Sequence, residues 1–411
     1  MLVRRMSGIS DTCFENRRHH APTYHFGMGT RRLGLTAALT VGPIAAWRFA
    51  QAYKARAGYP HRHEPTDDPG SLGLAFETVR VPSAGVELPG WWIPAAVDGA
   101  GRATPGPAVL LIHGWESARD RTLPNALILH ALRIHALTID VRGHGLNGAE
   151  ELPLTAGEFG EDALAGVEWL LARNDVTSVG VLGHSMGGIG ALLAAAAEPR
   201  VAAAVIASAP ADPYRLTRQT FRLARLPFPG PLAWPLAWLT THVFLQPRGH
   251  TVGDVSAARA IERYQGPVLL IQGDADRVVP ISHIGRLERA ARKARGNDAQ
   301  DGEVEVLVIP GGEHSWLYEY AAYRAAVGRF LARHLGPLTE AEGERVARAV
   351  PATRQPQREH PFSAIEPEKS GVSMLVQAIK AAGNNRMDGA DAGRESRAPE
   401  PTAAAPTPKG A

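Results

Sequence analysis

Short apolar runs alternate with longer stretches of helical periodicity through the middle of the chain. Runs with the length of buried strands lie at residues 108–112, 136–139, 178–182, 201–207, 268–271 and 304–309. Helical stretches separate several of these runs and close the series, at residues 123–132, 158–172, 188–197 and 318–335. Buried strands that alternate with helices predict a mostly parallel sheet covered by helices on both faces.

A hairpin pattern precedes this series. Residues 76–81 alternate polar and apolar side chains, residues 82–85 have turn character, and residues 86–93 return as a second strand. The pattern therefore predicts an α/β fold whose sheet begins with an N-terminal antiparallel hairpin.

The alternation of strands and helices breaks off between residues 213 and 250, in a segment rich in arginine, proline and tryptophan. We interpret this segment as a helical cap inserted between two strands of the sheet. Its apolar and aromatic side chains suit the roof of an acyl-binding site. A pair of structural helices without substrate contact is the alternative.

These patterns divide the chain into three parts. Residues 1–60 form a basic and hydrophobic N-terminal segment with a linker, residues 61–336 form the α/β domain with its cap, and residues 337–411 form a C-terminal extension. A helix is predicted over residues 340–350. The rest of the extension is rich in proline, alanine and glutamate and is expected to be largely disordered.

The N-terminal segment contains Leu33–Trp47, an almost uncharged apolar run between basic residues at 31–32 and 48. A membrane-spanning helix needs about 20 apolar residues, whereas the apolar core of a signal peptide needs about 7 to 15. The run predicts membrane association or export, and a helix lying on the domain of a cytoplasmic protein is the alternative. Basic residues at both ends leave its orientation open.

Composition excludes some functions. The 411 residues carry a net charge of +3, but the arginines are spread along the chain without a dense basic stripe, so nucleic acid is not an expected partner. Cys13 is the single cysteine, so no internal disulfide is possible and the fold depends on packing. The oligomeric state is not indicated by these features.

A candidate nucleophile lies in the sequence Gly-His-Ser-Met-Gly at residues 183–187, between a predicted strand and a predicted helix. A sharp turn at this point requires small residues two positions before and after the serine, because the backbone approaches the neighbouring strand and helix. Ser185 is the predicted nucleophile. A serine hydroxyl is a weak nucleophile at neutral pH, so a base, an acid that orients it and donors for an oxyanion are also needed.

The acid and the base should follow Ser185 in that order, at the ends of later strands. The strand at 268–271 leads into Gly-Asp-Ala-Asp at 273–276, where Asp276 is the preferred acid and Asp274, closer to the strand, is expected to cap the turn. The strand at 304–309 leads into a glycine turn followed by His314, the predicted general base.

Two backbone amides are predicted to form the oxyanion hole. The N–H of Met186 follows the nucleophile at the start of a helix, and the N–H of Trp115 follows the strand at 108–112 and the sequence His-Gly. The histidines His113, His144 and His184 are expected to shape their loops through local hydrogen bonds rather than to act as bases.

Together these segments resemble the α/β-hydrolase superfamily. The resemblance rests on His-Gly-Trp at 113–115, Asp-Val-Arg-Gly-His-Gly at 140–145 and the sequences around Ser185, Asp276 and His314. More narrowly, they resemble its serine aminopeptidase and monoglyceride-lipase-like serine hydrolases, including bacterial members with an N-terminal hydrophobic segment. The likeness spans about residues 76–335. The family's usual small or serine residues after Arg-Gly-His-Gly are replaced here by leucine and asparagine at 146–147.

The resemblance implies an acyl hydrolase that uses Ser185, Asp276 and His314 without a metal or an organic cofactor. A small-molecule acyl substrate is expected: a carboxylic ester, a thioester or an acylglycerol. A serine aminopeptidase-like peptidase and a non-catalytic binding protein with this fold are the alternatives.

Overall fold

The computed structural model describes residues 47–48, 58, 60–148, 154–223, 230–244, 251–296 and 303–352. The predicted apolar run Leu33–Trp47, apart from its last residue, and the C-terminal extension after residue 352 lie outside these ranges. Among the helices within them, none is long and apolar enough to cross a membrane. Membrane association or export through the N-terminal run therefore stays a prediction.

The centre of the domain is an eight-stranded sheet with the order β1-β2-β4-β3-β5-β6-β7-β8. The strands are β1 Glu77–Ser83, β2 Val86–Ile93, β3 Gly106–Ile112, β4 His135–Ile139, β5 Val176–His184, β6 Val201–Ala207, β7 Val268–Gly273 and β8 Val304–Ile309. The first two strands form the predicted antiparallel hairpin, and β2 pairs antiparallel with β4. All other pairs are parallel. This sheet confirms the predicted fold class.

Helices cover both faces of the sheet. They are α1 Leu123–Ala131, α2 Ala156–Leu171, α3 Met186–Ala197, α4 Pro213–Leu223, α5 Gly230–Leu239, α6 Ala257–Arg263, α7 Ser282–Arg295, α8 Ala321–His334 and α9 Glu340–Ala349. In β3, Leu110 and Ile112 pack in the core that α2, α3, α6 and α7 cover, whereas Val109 and Leu111 pack in the core that α1, α8 and α9 cover. Because successive side chains of a strand point to opposite faces, a strand buried on both sides reads as a continuous apolar run.

The folded domain continues past the predicted boundary at residue 336. The helix expected over 340–350 is α9, and it packs closely on α8. A Cβ atom on Gly328 of α8 would overlap the carbonyl of Gly343 in α9, so both helices need glycine at their crossing. Substitution of either glycine would force the two helix backbones apart.

The predicted cap lies between β6 and β7. It contains α4, α5 and a π-helical turn at Thr240–Phe244 that follows α5 directly. The cap is joined to the body of the domain by His283, a buried residue of α7. Its Nδ1 accepts the Ala211 N–H at 3.0 Å, and its Nε2–H therefore donates to the side-chain carbonyl of Gln219 in α4.

Acid should weaken this connection. Burial and the positive charge of Arg215, opposed by Asp212, lower the pKa of His283 to about 4. An exposed histidine of the unfolded chain titrates near 6.5. As the pH falls from about 6.5 to about 4, the unfolded chain binds a proton at this histidine that the folded protein does not bind. The free energy of unfolding therefore decreases across this range. Between pH 7 and pH 5 this one group should cost about 2 kcal/mol of unfolding free energy.

We expect His283→Gln to reduce the loss of stability between pH 7 and pH 5 by about 2 kcal/mol, because glutamine does not titrate. Urea unfolding at several pH values measures the difference. His130→Gln, which removes an exposed ring of α1, is the matched control for the loss of a histidine. Equal slopes for wild type and His283→Gln would contradict the expectation.

Candidate active site

Ser185 occupies a strained turn between β5 and α3. Its φ of 55° and ψ of −121° lie outside the regions that residues with a side chain normally adopt. A Cβ atom on Gly183 would overlap the Gly187 backbone, and one on Gly187 would overlap the carbonyl of His113. Both glycines are therefore required for the turn, as the sequence predicts. The Ser185 N–H donates to the carbonyl of Ala207 in β6 at 2.9 Å, which holds the turn at the edge of the sheet.

The structure brings the three predicted residues together. His314 Nε2 lies 3.1 Å from Ser185 Oγ, and His314 Nδ1 lies 2.8 Å from Asp276 Oδ2. All three side chains are buried. Because a carboxylate only accepts, Nδ1 carries the ring proton, and the lone pair on Nε2 faces the serine hydroxyl. This arrangement can transfer the serine proton to the imidazole.

Four donors surround the Asp276 carboxylate. Oδ1 accepts the N–H groups of Val278 and Val279, both at 2.8 Å. Oδ2 accepts the Gln272 side-chain amide at 2.7 Å in addition to His314. Burial alone would raise the pKa of Asp276, but the hydrogen bond and charge of His314 and the two backbone donors outweigh it and lower the pKa. The carboxylate is therefore ionised at neutral pH.

Asp274 has a different role. It is exposed, and its Oδ1 accepts the Gly311 N–H at 2.7 Å, which fixes the turn before His314. The aspartate next to the imidazole is thus Asp276, whereas Asp274 supports the loop before His314.

His184 supports the loop that carries the base. Its half-buried ring packs against the His314 ring, with 4.9 Å between the centroids. Burial, together with the charge of His314, lowers the pKa of His184 to about 3, so the ring is neutral at pH 7. Its Nε2–H donates to the His314 carbonyl at 2.7 Å. The residue before the nucleophile thereby fixes the backbone of the base.

The predicted oxyanion donors come from two segments that meet at Ser185. A Cβ atom on Gly114 would lie 3.3 Å from the Ser185 Cβ, so the loop after β3 lies against the nucleophile, and Trp115 is the next residue of that loop. Met186 is the first residue of α3, where N–H groups have no acceptor within the helix and the helix dipole favours negative charge. That both amides donate to an oxyanion at Ser185 stays a prediction.

Two further histidines shape the loop around Trp115. His113 is buried, its Nδ1–H donates to the Gly114 carbonyl at 2.8 Å, and its Nε2 accepts the Val141 N–H at 3.1 Å. His144 donates to the Arg142 carbonyl at 3.0 Å, and burial and the neighbouring His113 lower its pKa to about 3. Both rings are therefore neutral structural groups, in agreement with the expected local hydrogen bonds.

An aromatic contact orients Trp115 itself. Its ring stacks on Phe159 of α2 at 6.2 Å and meets the edge of His144 at 5.2 Å. The backbone amide is thus held by a side chain that packs into the domain.

Buried Asp140 organises the neighbouring loop, a role that the sequence alone does not indicate. Its carboxylate pairs with the Arg119 guanidinium and accepts the backbone N–H groups of Arg119 at 2.8 Å and Leu146 at 2.9 Å. A Cβ atom on Gly145 would overlap this carboxylate. The leucine that departs from the family pattern at 146 is exposed, and its backbone is fixed. Within the described ranges, no group of three metal-ligating side chains is arranged to hold a metal ion.

The sequence profile of the alpha/beta hydrolase family matches residues 109–327, more than half of the chain. The chain belongs to the alpha/beta hydrolase family. In this hydrolase, the matched region runs from β3 into α8 and contains Ser185, Asp276 and His314.

The chain is also similar to curated relatives and to solved structures. The hydrolase is 28% identical over 233 residues to the uncharacterized protein Rv2307c of Mycobacterium tuberculosis. The alignment covers 56% of this chain and 69% of the relative. It is 28% identical over 283 residues to the uncharacterized protein YqkD of Bacillus subtilis, and the alignment covers 65% of this chain and 84% of YqkD. The esterase Pf2001 of Pyrococcus furiosus superposes with a TM-score of 0.52 at 22% identity, covering 67% of this chain and 100% of the esterase. That likeness shows the fold.

Proposed function

We propose that this protein is a serine hydrolase that cleaves carboxylic esters. The observation that carries the proposal is the chain of two hydrogen bonds from Ser185 Oγ through His314 to Asp276. Each of these residues follows a different strand of the sheet, so the three are held by the body of the fold and not by one mobile loop.

The reaction has two halves. In the first, His314 Nε2 takes the hydroxyl proton of Ser185 while Oγ attacks the acyl carbon, and the Trp115 and Met186 amides bind the oxyanion. The intermediate expels the alkoxide, which receives the proton from His314 and leaves as an alcohol. In the second half, His314 takes a proton from water while the water oxygen attacks the acyl-serine. The intermediate then expels Ser185 Oγ, which takes the proton back from His314, and the carboxylic acid is released.

Asp276 serves both halves of the reaction. Its ionised carboxylate keeps the proton on Nδ1 of the resting imidazole and stabilises the imidazolium that forms when Ser185 is deprotonated. The backbone donors on its second oxygen hold the carboxylate in that orientation.

The composition of the cap supports an acyl substrate. Residues 213–250 contain five arginines, two tryptophans and no aspartate or glutamate. An aminopeptidase needs a carboxylate to bind the α-amino group of its substrate, and this segment supplies none. Apolar and aromatic side chains suit the acyl chain of an ester, a thioester or an acylglycerol.

An active-site probe tests the proposal. A fluorophosphonate should label wild type and Ser208→Ala, and it should not label Ser185→Ala. Ser208 is a suitable control because it is a buried serine at the end of the neighbouring strand β6. Equal labelling of Ser185→Ala and wild type would refute the assignment of the nucleophile. Faster turnover of aminoacyl amides than of acyl esters by wild type would favour the peptidase.

A further inference from the structure

The cap exposes an apolar face. Trp234 is 48% exposed, Trp238 52%, Leu239 37% and Val243 52%. They all belong to α5 and the π-helical turn that follows it. Large apolar side chains that are exposed singly are common on proteins, but a cluster of this kind marks an interaction surface. We call these four residues the cap face.

Helix geometry explains why the four side chains form one surface. Trp234 and Trp238 are four residues apart, as are Leu239 and Val243, so each pair stacks along the helix. The opposite side contains Ala237, which is fully buried. A helix on a globular protein normally turns its bulky apolar residues inward. Here the small residue faces the protein and the tryptophans face the solvent.

The segment that carries the cap face is rich in positively charged residues. Residues 213–250 contain five arginines without a lysine or an acidic residue, so the cap carries more positive charge than the net +3 of the whole chain. The Arg218 guanidinium of α4 lies 4.1 Å from the centre of the Trp234 ring. A cation is therefore held at the border of the apolar surface.

We propose that the cap face docks on the surface of an anionic lipid bilayer. Tryptophan is favoured at the headgroup level of membranes, because its ring is apolar and its N–H is polar. Arginine binds phosphate through directed hydrogen bonds, and anionic headgroups attract positive charge over several ångströms. Helices that lie in the membrane interface typically have tryptophan and leucine on one side and arginines next to that apolar side.

Charge favours a lipid surface over a second copy of the chain. A symmetric dimer through the cap face would bring two arginine-rich segments together, and like charges in contact are unfavourable. A bilayer with anionic headgroups has the opposite charge. The docking needs neither the predicted membrane run Leu33–Trp47 nor the chemistry of Ser185.

An environment-sensitive fluorophore on the cap face tests the proposal in the full chain. Because Cys13 is the single cysteine, Cys13→Ser combined with Val243→Cys gives one labelling site. A nitrobenzoxadiazole label at 243 should brighten several-fold and shift to shorter wavelength with phosphatidylglycerol vesicles. It should not change with phosphatidylcholine vesicles. Val308→Cys labelled in the same way is the matched control, because Val308 is 43% exposed on β8, outside the cap.

Two further measurements separate the contributions of apolar contact and charge. Adding Trp234→Ser and Trp238→Ser should weaken the response at 243 by about 10-fold or more in vesicle concentration. Raising the salt from 50 to 500 mM should weaken the wild-type response, because the arginines act through charge. The Ser185→Ala protein should dock as wild type does, so failure of the proposed catalysis would not affect this result.

Three outcomes would overturn the proposal. An unchanged label at 243 on protein that sediments with vesicles would assign binding to another segment. An equal response to both lipids would remove the role of charge. A change that follows protein concentration without vesicles would identify a second copy of the chain as the occupant.

Discussion

Ser185→Ala should lower kcat for hydrolysis of a soluble short-chain ester by about 10⁴- to 10⁶-fold. His314→Ala should cost about as much. The double variant should lose little more than either single variant, because the two side chains act in one proton transfer, and neither retains its function alone. The short separation between His314 Nε2 and Ser185 Oγ is the structural basis for this expectation.

Steady-state kinetics of the three variants measures the coupling. Ser208→Ala is the control and should keep wild-type kcat, since its hydroxyl is buried at the end of the neighbouring strand. Multiplicative losses in the double variant would show that Ser185 and His314 act independently. That result would contradict the proposed mechanism even if each single variant were inactive.

The candidate site could be predicted because the fold places its parts at strand ends. Carboxyl ends of parallel strands meet at one edge of a sheet, so the residues after β5, β7 and β8 were expected to converge. Ser185, Asp276 and His314 do converge there. The choice of Asp276 over Asp274 also agrees with the geometry, because the aspartate nearer the strand end binds the turn at Gly311.

The hydrogen-bond partners of these residues were not predicted. His184 and the His314 carbonyl are 130 residues apart in sequence, so no local pattern indicates their hydrogen bond. Gln272 is a polar residue at the end of an otherwise apolar strand, which was the available signal for its contact with Asp276. The orientation of the cap helix α5 could not be predicted from the sequence either. Trp234 and Trp238 are apolar by type, and only the fold shows that they face the solvent.

Helix α7 was not predicted, because its many charged residues make its apolar side difficult to recognise. The segment Ser282–Arg295 contains six charged residues, but Ile284, Leu287 and Ala291 recur at intervals of three and four and are buried. A search for that spacing would have found the helix. The short helix α6 has three alanines among its seven residues, and tertiary packing on α3 supports it more than its own pattern does.

Asp276→Asn should lower kcat by about 10⁴-fold, with the domain still folded. The argument begins with the backbone N–H groups of Val278 and Val279, which can only donate. They require an acceptor, so the asparagine oxygen should take the place of Oδ1. The asparagine NH₂ then takes the place of Oδ2, the atom that faces His314.

The new NH₂ group would meet two donors. Gln272 cannot easily present its oxygen instead, because its Nε2 also donates to the Val279 carbonyl at 2.9 Å. His314 can adapt by moving its proton to Nε2, but that tautomer points N–H at Ser185 and cannot accept the serine proton. The ring would be held in an inactive form by the hydrogen bond from the asparagine NH₂ to Nδ1.

Asp274→Asn is the matched control for this change. Its side chain is exposed, and the asparagine oxygen can still accept the Gly311 N–H, so kcat should fall less than about 3-fold. Circular dichroism and kcat of both variants provide the comparison. If Asp274→Asn lost as much activity as Asp276→Asn, the acid of the site would have been assigned to the wrong aspartate. A folded Asp276→Asn protein with nearly normal kcat would instead mean that the imidazole keeps its active tautomer without the carboxylate.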